Sequence, residues 1–283
     1  MPELPEVESA RAVVERGALG RRIVDVDDSD TWECRPHAPG EIREALLGRT
    51  LVAAHRRGKS MWCTTSAREG DAGAGGGSGA EGPVLGLHLG MSGRILVRER
   101  PEAEGGEEQE GGDYAGRTGD RRREEWFRFT LRFADGGSLR LLDPRRLGRV
   151  RLDPDLSALG PDAAEVGREE FRARVGRGTA PLKARLLDQG CVAGIGNLLA
   201  DETLWQAGIS PLRPAGDLDD DRLDHLRRVL RRCTRAAIEH GGVHTGEVVP
   251  HRRAGAHCPR CGAAMTRGTV GGRTTWWCPQ EQV

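Results

Sequence analysis

The chain is poor in lysine and asparagine. Of its 43 basic residues only Lys59 and Lys183 are lysines, and Asn197 is its one asparagine. Arginine offers a planar fork of donors, whereas lysine offers a compact charge that can also lose its proton. The two lysines therefore mark positions where arginine would not serve, and we treat them and the scarce Asn197 as candidate functional residues.

Long apolar runs are also missing. No stretch of about 18 apolar residues occurs, so the sequence predicts no membrane span. The acidic, proline-containing start lacks the apolar core of a secretory signal. The seven cysteines are an odd number, and three have metal-binding spacing, which favours a cytoplasmic protein over a disulfide framework. With 283 residues, 37% of them hydrophobic, the chain has room for two or three small domains.

The formal net charge of zero conceals an uneven distribution. Residues 69–83 carry a net charge of −3 and residues 99–125 one of −5, so the rest of the chain carries +8. We expect both acidic stretches to be flexible surface insertions, because they offer little apolar surface to bury. The basic remainder suits a polyanionic ligand.

Hydrophobic periodicity predicts a β-rich first half. A short helix over 5–15 precedes strands at 84–89 and 94–97, which flank a tight GMSG turn. Residues 127–133 alternate between apolar and polar side chains, which predicts a half-buried strand that pairs with 138–143.

From about residue 155 the spacing becomes helical. The longest helix would begin near residue 219 and bury one apolar face: Leu223, Leu226, Val229, Leu230 and Cys233. A glycine-rich turn also precedes a helix that begins at Asn197. Gly194 and Gly196 permit close approach of a ligand, and the N-terminus of this helix predicts an anion site where Asn197 caps the helix or binds phosphate. The alternative is an ordinary helical hairpin.

The N-terminus itself can carry chemistry. Pro2 follows Met1, and a residue this small normally permits methionine removal, which leaves a secondary amine beside Glu3. An α-amino group titrates near ~7.7–8.0 and lysine near ~10.4, so at neutral pH the terminal amine is far more often nucleophilic. It can attack a carbonyl-like carbon to form an iminium, with Glu3 moving protons.

The C-terminal tail has the cysteine spacing of a zinc ribbon. The three predicted ligands are Cys258, Cys261 and Cys278. A glutamate stands where a four-cysteine ribbon would place its last ligand, so the candidates for the fourth ligand are Glu281, His257 and His251. The alternative is a metal-free hairpin packed around its two tryptophans.

Together these segments resemble the Fpg/Nei family of bacterial DNA glycosylases (formamidopyrimidine-DNA glycosylase and endonuclease VIII). The similar segments, in order, are PELPEVE, RRGK, LHLGMSGR, DPRRLGR, GIGN with the ADE that follows it, and the CPRCG ribbon. The resemblance implies an α+β fold: a β-sandwich flanked by helices over 1–153, a helix–two-turns–helix (H2TH) domain over 154–248 and a zinc-ribbon hairpin over 249–283. It also implies damaged or abasic double-stranded DNA as the partner, structural zinc as the cofactor, and a monomer.

The resemblance further implies a bifunctional glycosylase and AP lyase of base excision repair. Pro2 would attack C1′ of the damaged nucleotide, Glu3 would protonate the sugar ring oxygen, and Glu6 and Lys59 would support catalysis. β,δ-Elimination would then cleave the strand. Six side chains besides Lys59 are implied in DNA binding: Met91 as the wedge, Arg145 and Leu147 facing the orphan base, and Lys183, Asn197 and Arg273.

Three departures from the family pattern stand out. Leu147 replaces an aromatic residue after DPRR, and the fourth ribbon cysteine is missing. The short stretch 241–257 lacks the tyrosine-containing pattern that covers a flipped base, which hints at oxidised pyrimidines, whereas PELPEVE is the Fpg-like form. The preferred lesion therefore stays open. The alternative function is a non-catalytic binder of damaged DNA, against which Pro2 and Glu3 argue, because pure binding needs neither.

Overall fold

The computed structural model describes residues 2–68, 81–99, 107–113 and 122–283. The described chain forms two compact units, one that contains Pro2 and Glu6–Asp155, the other Glu3–Pro5 and Leu156–Val283. None of the helices in the described ranges is both long and apolar enough to cross a membrane.

In the part of the chain that the structure describes, the first unit is built on nine strands. In chain order they are β1 (Ile23–Asp27), β2 (Leu51–Arg57), β3 (Ser60–Thr65), β4 (Leu85–His88), β5 (Arg94–Arg98), β6 (Glu108–Gly112), β7 (Phe127–Phe133), β8 (Ser138–Leu142) and β9 (Arg149–Leu152). They form two antiparallel sheets, ordered β1-β7-β8-β5-β6 and β2-β3-β4-β9. Side chains from both sheets share one buried core, so the expected sandwich is confirmed.

Among the described residues, two α-helices accompany these sheets, α1 (Leu4–Gly17) and α2 (Glu41–Leu46). The helix predicted near the N-terminus is confirmed as α1, whose apolar stripe from Val7 to Val14 is buried. The predicted hairpin is confirmed as well, since β7 pairs antiparallel with β8. Gly136 adopts φ +84° in its turn, a conformation that favours glycine.

The acidic stretch 99–125 differs from expectation, because it contributes strand β6, which pairs with β5. Ion pairs stabilise this strand: Glu110 pairs with Arg94, and Glu108 with Arg98 and Arg140. The expectation of a flexible insertion was wrong for this strand, because it considered only apolar burial. The rest of the insertion calls falls largely outside the described residues, at 69–80, 100–106 and 114–121.

The second unit holds four further helices and one hairpin. The helices are α3 (Arg168–Val175), α4 (Leu182–Leu187), α5 (Asn197–Ala207) and α6 (Asp220–Glu239), and the hairpin consists of β10 (Thr266–Val270) and β11 (Arg273–Trp277). The predicted apolar face of α6 is buried in the core of this unit. Asp219 caps α6 by accepting a hydrogen bond from the Arg222 backbone N–H.

Candidate functional site

The Glu3 carboxylate lies at the N-terminus of α5. It is 1% exposed and accepts three backbone hydrogen bonds, from the N–H groups of Gly196 (3.0 Å), Leu198 (2.8 Å) and Leu199 (3.0 Å). A helix N-terminus leaves such donors without intrahelical partners and favours negative charge. Glu3 therefore occupies the anion site that the sequence predicted for a phosphate, and that expectation is corrected.

The glycine-rich turn makes this arrangement possible. A Cβ on Gly196 would lie 2.3 Å from Glu3 Cδ, so only glycine lets the carboxylate approach the helix. The Leu4 backbone N–H donates to the Gly194 carbonyl oxygen (3.1 Å), which fixes the chain next to Glu3. The turn thus orients a carboxylate of the same chain.

Asn197 and the start of β11 meet at one carbonyl group. The Thr274 oxygen accepts hydrogen bonds from Asn197 Nδ2 (3.0 Å), from an Arg252 guanidinium nitrogen (3.3 Å) and from Lys183 Nζ (3.4 Å). Arg273 precedes this carbonyl and is exposed. The structure therefore brings Asn197 close to Arg273, as a shared phosphate-binding role requires.

Lys183 does not have the role that the sequence suggested. Its side chain is 0% exposed, and its Nζ lies 2.6 Å from Asp201 Oδ1 and donates to Thr275 Oγ1 at 2.8 Å. Burial lowers the pKa of Lys183, although Asp201 opposes the shift. A buried, paired ammonium group cannot reach a phosphate, so the prediction of a DNA contact by Lys183 is corrected. Its position indicates that it stabilises the β11 backbone.

In the first unit, the turn that carries Met91 and the loop that carries Arg145 and Leu147 rest on one carboxylate. Asp143 accepts hydrogen bonds from Ser92 Oγ (2.7 Å) and from the backbone N–H groups of Arg145 (3.0 Å), Leu147 (2.8 Å) and Gly148 (2.8 Å). Met91 is half-buried, whereas the side chains of Arg145 and Leu147 are exposed. The structure thus places the candidate wedge and its neighbours together.

His88 supports the Met91 turn from the end of β4. Its Nδ1 accepts a hydrogen bond from the Gly90 N–H (3.1 Å), so it is the acceptor nitrogen of the ring. Burial lowers the pKa of His88, and the positive charges of Lys59 and Arg151 lower it further. Lys59, half-buried in the turn between β2 and β3, thus lies near this site.

Pro2 directly precedes Glu3 in the sequence, and Glu6 follows it by three residues. Pro2 is buried, and Glu6, in the first turn of α1, is 4% exposed. Met1 lies outside the described residues. The roles predicted for Pro2, Glu3 and Glu6 stay predictions.

The three predicted ribbon ligands form one cluster. The sulfur atoms of Cys258, Cys261 and Cys278 all lie within 4.8 Å of one another. Burial opposes ionisation of Cys258, but hydrogen bonds from the Cys261 backbone and from the indole of Trp205 lower its pKa to about 7. Since thiolates are the metal-binding form, this donor set fits zinc.

None of the three candidates for the fourth ligand, Glu281, His257 and His251, belongs to this cluster. The Glu281 carboxylate lies 3.6 Å from the Arg260 guanidinium, while its backbone N–H donates to Cys278 Sγ at 3.4 Å. His257 is exposed and forms an isolated bridge with Ala264. The backbone of Glu281 therefore lies next to the cysteine cluster, whereas its side chain pairs with Arg260.

Sequence reasoning missed four residues that position the others: Asp143, His88, Asp201 and Arg252. Asp143 carried a signal, because an aspartate before proline commonly begins a turn. Arg252, whose Nε donates to Asp201 Oδ2 (2.7 Å), had none, because nothing local links it to a helix fifty residues earlier.

Two family models match the chain. The model of the formamidopyrimidine-DNA glycosylase N-terminal domain matches residues 1–150, and that of the formamidopyrimidine-DNA glycosylase H2TH domain matches residues 158–248. The formamidopyrimidine-DNA glycosylase of a Nocardioides species is 33% identical over 99% of this chain and 93% of its own length.

Solved structures of Lactococcus lactis Fpg are also similar. One, in complex with DNA containing an abasic site, has a TM-score of 0.75 at 26% identity, and covers 99% of each chain. Another, in complex with DNA containing an oxidised pyrimidine, has a TM-score of 0.76 at 27% identity, again over 99% of each chain. The fold, the segment-by-segment matches and the full-length similarity agree, and the chain belongs to the formamidopyrimidine-DNA glycosylase family.

Proposed function

We propose that the protein is a base-excision-repair DNA glycosylase with AP lyase activity, which removes oxidised bases through its N-terminal amine. The observation that carries the chemistry is the buried Glu3 carboxylate on the N-terminus of α5, directly after Pro2 in the chain. A non-catalytic binder of damaged DNA needs no such carboxylate.

Pro2, freed of Met1, attacks C1′ of the damaged nucleotide, and the base leaves as an anion that takes a proton from water. The attacking amine gives its own proton to the Glu3 carboxylate, and Glu3 passes that proton to the sugar ring oxygen as the ring opens. The three N–H donors around Glu3 then stabilise the negative charge that remains on it, which makes Glu3 an effective acid in this step. The product is an iminium between Pro2 and C1′.

Strand cleavage follows from that iminium. Removal of a C2′ proton expels the 3′ phosphate, and a second elimination expels the 5′ phosphate. Glu3, now ionised, is available to accept a proton in these steps. Hydrolysis of the remaining imine returns the free amine of Pro2.

DNA contacts are proposed for exposed or half-exposed side chains. Asn197 and Arg273 bind the backbone phosphates near the lesion, and Lys59 binds one from the first unit. Met91 is a flexible apolar wedge that fills the space of the flipped nucleotide, which costs about a few kcal/mol to extrude. Arg145 and Leu147 face the orphan base.

Borohydride trapping tests the enzyme against the binder. Wild-type protein incubated with abasic duplex DNA and borohydride should give a covalent adduct, because the reductant converts the iminium into a stable amine. Pro2→Gly should reduce the adduct strongly while duplex binding persists. A wild-type protein that binds abasic DNA without any adduct would leave only the binder.

We also propose that one structural zinc ion is held by Cys258, Cys261 and Cys278, with Glu281 completing the set after its side chain turns away from Arg260. Metal analysis should find one zinc per chain. Glu281→Ala should weaken zinc binding, and Glu281→Cys should strengthen it, because thiolate is the commoner ligand in structural sites. Equal zinc affinity in all three proteins would exclude Glu281 as a ligand.

We further propose an oligomeric state and a cellular location for the protein. The protein acts as a monomer on duplex DNA in the cytoplasm, associated with the nucleoid. Light scattering of the protein with and without an abasic duplex tests whether it acts as a monomer. A mass of two chains per duplex would contradict a monomer.

A further inference from the structure

A second buried carboxyl group lies beneath the loop that carries Arg145 and Leu147. Glu33 is 0% exposed, and its backbone carbonyl accepts a hydrogen bond from the Val150 N–H (2.9 Å), which fixes it beside β9. A Cβ added to Gly148 would lie 2.6 Å from Glu33 Oε2 and 3.3 Å from Asp143 Oδ2. Both carboxyl groups therefore approach Gly148 where its side chain would be, which leaves them close to each other.

The hydrogen bonds assign different charges to the two groups. Asp143 accepts four hydrogen bonds, which is the number of acceptor sites that an ionised carboxylate offers. Neither carboxylate oxygen of Glu33 has a hydrogen-bond partner of good geometry among the described residues. A buried carboxylate without donors is costly, so the proton of this pair belongs on Glu33.

Burial and the nearby acidic groups favour the same assignment. Two acidic groups lie nearby: Asp30, three residues before Glu33 in the chain, and Asp143, which follows β8. Arg146 of the loop and Arg128 of β7 both pair with Asp30. His88 contributes a backbone carbonyl near Gly148, and Cys34, next in sequence, has a pKa raised to about 12 by burial and nearby acids. Burial and the negative charges of Asp143 and Asp30 raise the pKa of Glu33 to about 8.

We propose that Glu33 is a positioning residue: as a neutral carboxyl group it lets Asp143 hold residues 144–148 in the conformation that presents Arg145 and Leu147 to the base opposite the lesion. The inference rests on the proposed function, because that function gives the loop its DNA contact. Ionised Glu33 would repel Asp143 beside Gly148, and the exposed loop is the part that can move away.

Equilibrium binding tests this role without relying on the chemistry of Pro2. Duplexes carry a tetrahydrofuran abasic analogue opposite each of the four bases, and affinity is measured at about pH 6 and about pH 9.5, on either side of the Glu33 titration. The readout is the affinity for the strongest-bound duplex divided by the affinity for the weakest-bound duplex. The variants are Glu33→Gln and Glu33→Leu, which are neutral at both pH values, and the control is Glu239→Gln, an exposed carboxyl in α6.

In the wild type and the control, the ratio should fall about tenfold at high pH, since one well-placed base contact contributes a discrimination of that order. Both Glu33 variants should keep the same ratio at the two pH values. A wild-type ratio that does not change with pH, or that changes in parallel with the Glu33 variants, would overturn the inference. A wild type that shows the pH effect but gives no borohydride adduct would refute the lyase and leave the role of Glu33 standing.

Hydrogen exchange supplies a second measurement that needs no variant. The Leu147 N–H donates to Asp143 and the Arg222 N–H donates to Asp219, both at 2.8 Å. As the pH rises through the Glu33 titration, protection of Leu147 should fall relative to that of Arg222. A constant ratio of the two protection factors would contradict the inference.

Discussion

At the scale of single residues, the Glu3 carboxylate depends on the absence of one side chain. Gly196→Ala should place a methyl group against Glu3, destabilise the protein by about 1–3 kcal/mol and slow base excision about a hundredfold through misplacement of the acid. Denaturant unfolding and single-turnover excision measure the two effects.

Gly167→Ala is the matched control for this substitution. Gly167 also precedes a helix, has φ −65° and has nothing within 4 Å of an added Cβ. It should leave excision unchanged and alter stability by about 0.5 kcal/mol or less. Similar losses in both variants would mean that Gly196 matters for the helix start and not for Glu3.

Glu33 gives stability a distinctive pH dependence. Its pKa is raised from 4.5 to about 8 in the folded protein. The contribution of Glu33 to the free energy of unfolding is therefore fully present below about pH 4.5 and is lost as the pH rises towards 8, with a slope of at most about 1.4 kcal/mol per pH unit. The difference in Tm between Glu33→Gln and wild type should move in favour of the variant across this range, then level off. A difference that is constant with pH would place the Glu33 pKa near its ordinary value.

At the scale of elements, β6 is an edge strand stabilised by charge. Glu110→Ala leaves Arg94, 6% exposed, without this carboxylate and should cost about 1–3 kcal/mol in the free energy of unfolding. Glu107→Ala removes an exposed carboxylate just before the strand and should change the free energy of unfolding by about 0.5 kcal/mol or less. Equal effects in the two variants would show that the Arg94 pair contributes nothing.

The same strand shows where sequence periodicity stops being informative. Alternation predicted β7 and β8 because half their side chains are buried, and helical spacing predicted α5 and α6 for the same reason. β6 reads EQEGG and has no apolar side chain, so its partners Arg94 and Arg140 were needed to find it. Short α3 was missed as well, because only Phe171 and Val175 of its eight residues are buried.

At the scale of the whole molecule, DNA binding should follow from the basic surface. Arg273→Ala should lower the slope of log affinity against log salt by about 0.9, because one phosphate contact is lost. Arg267→Ala removes an equal exposed charge from the same hairpin and should change the slope less. An unchanged slope for Arg273→Ala would exclude the proposed phosphate contact.

Sequence motifs identified the candidate site residues but not the residues that support them. Motif residues such as Glu3, Asn197 and Arg273 could be found because each lies in a recognisable local pattern. A phosphate was predicted at the N-terminus of α5, where the structure has the Glu3 carboxylate. The sequence cannot show that Glu3 accepts hydrogen bonds from a helix almost two hundred residues later. Lys183 was misassigned because its scarcity indicated function, whereas its burial beside Asp201 depends on tertiary packing.

The identity of the nucleophile is tested most directly by mapping the borohydride-trapped adduct. The adduct with abasic DNA is digested with nuclease and protease, and the modified peptide is sequenced by mass spectrometry. The predicted result is a peptide that lacks Met1 and carries the deoxyribose remnant on the nitrogen of Pro2. A remnant on Lys59, or an adduct formed by protein that retains Met1, would contradict the account.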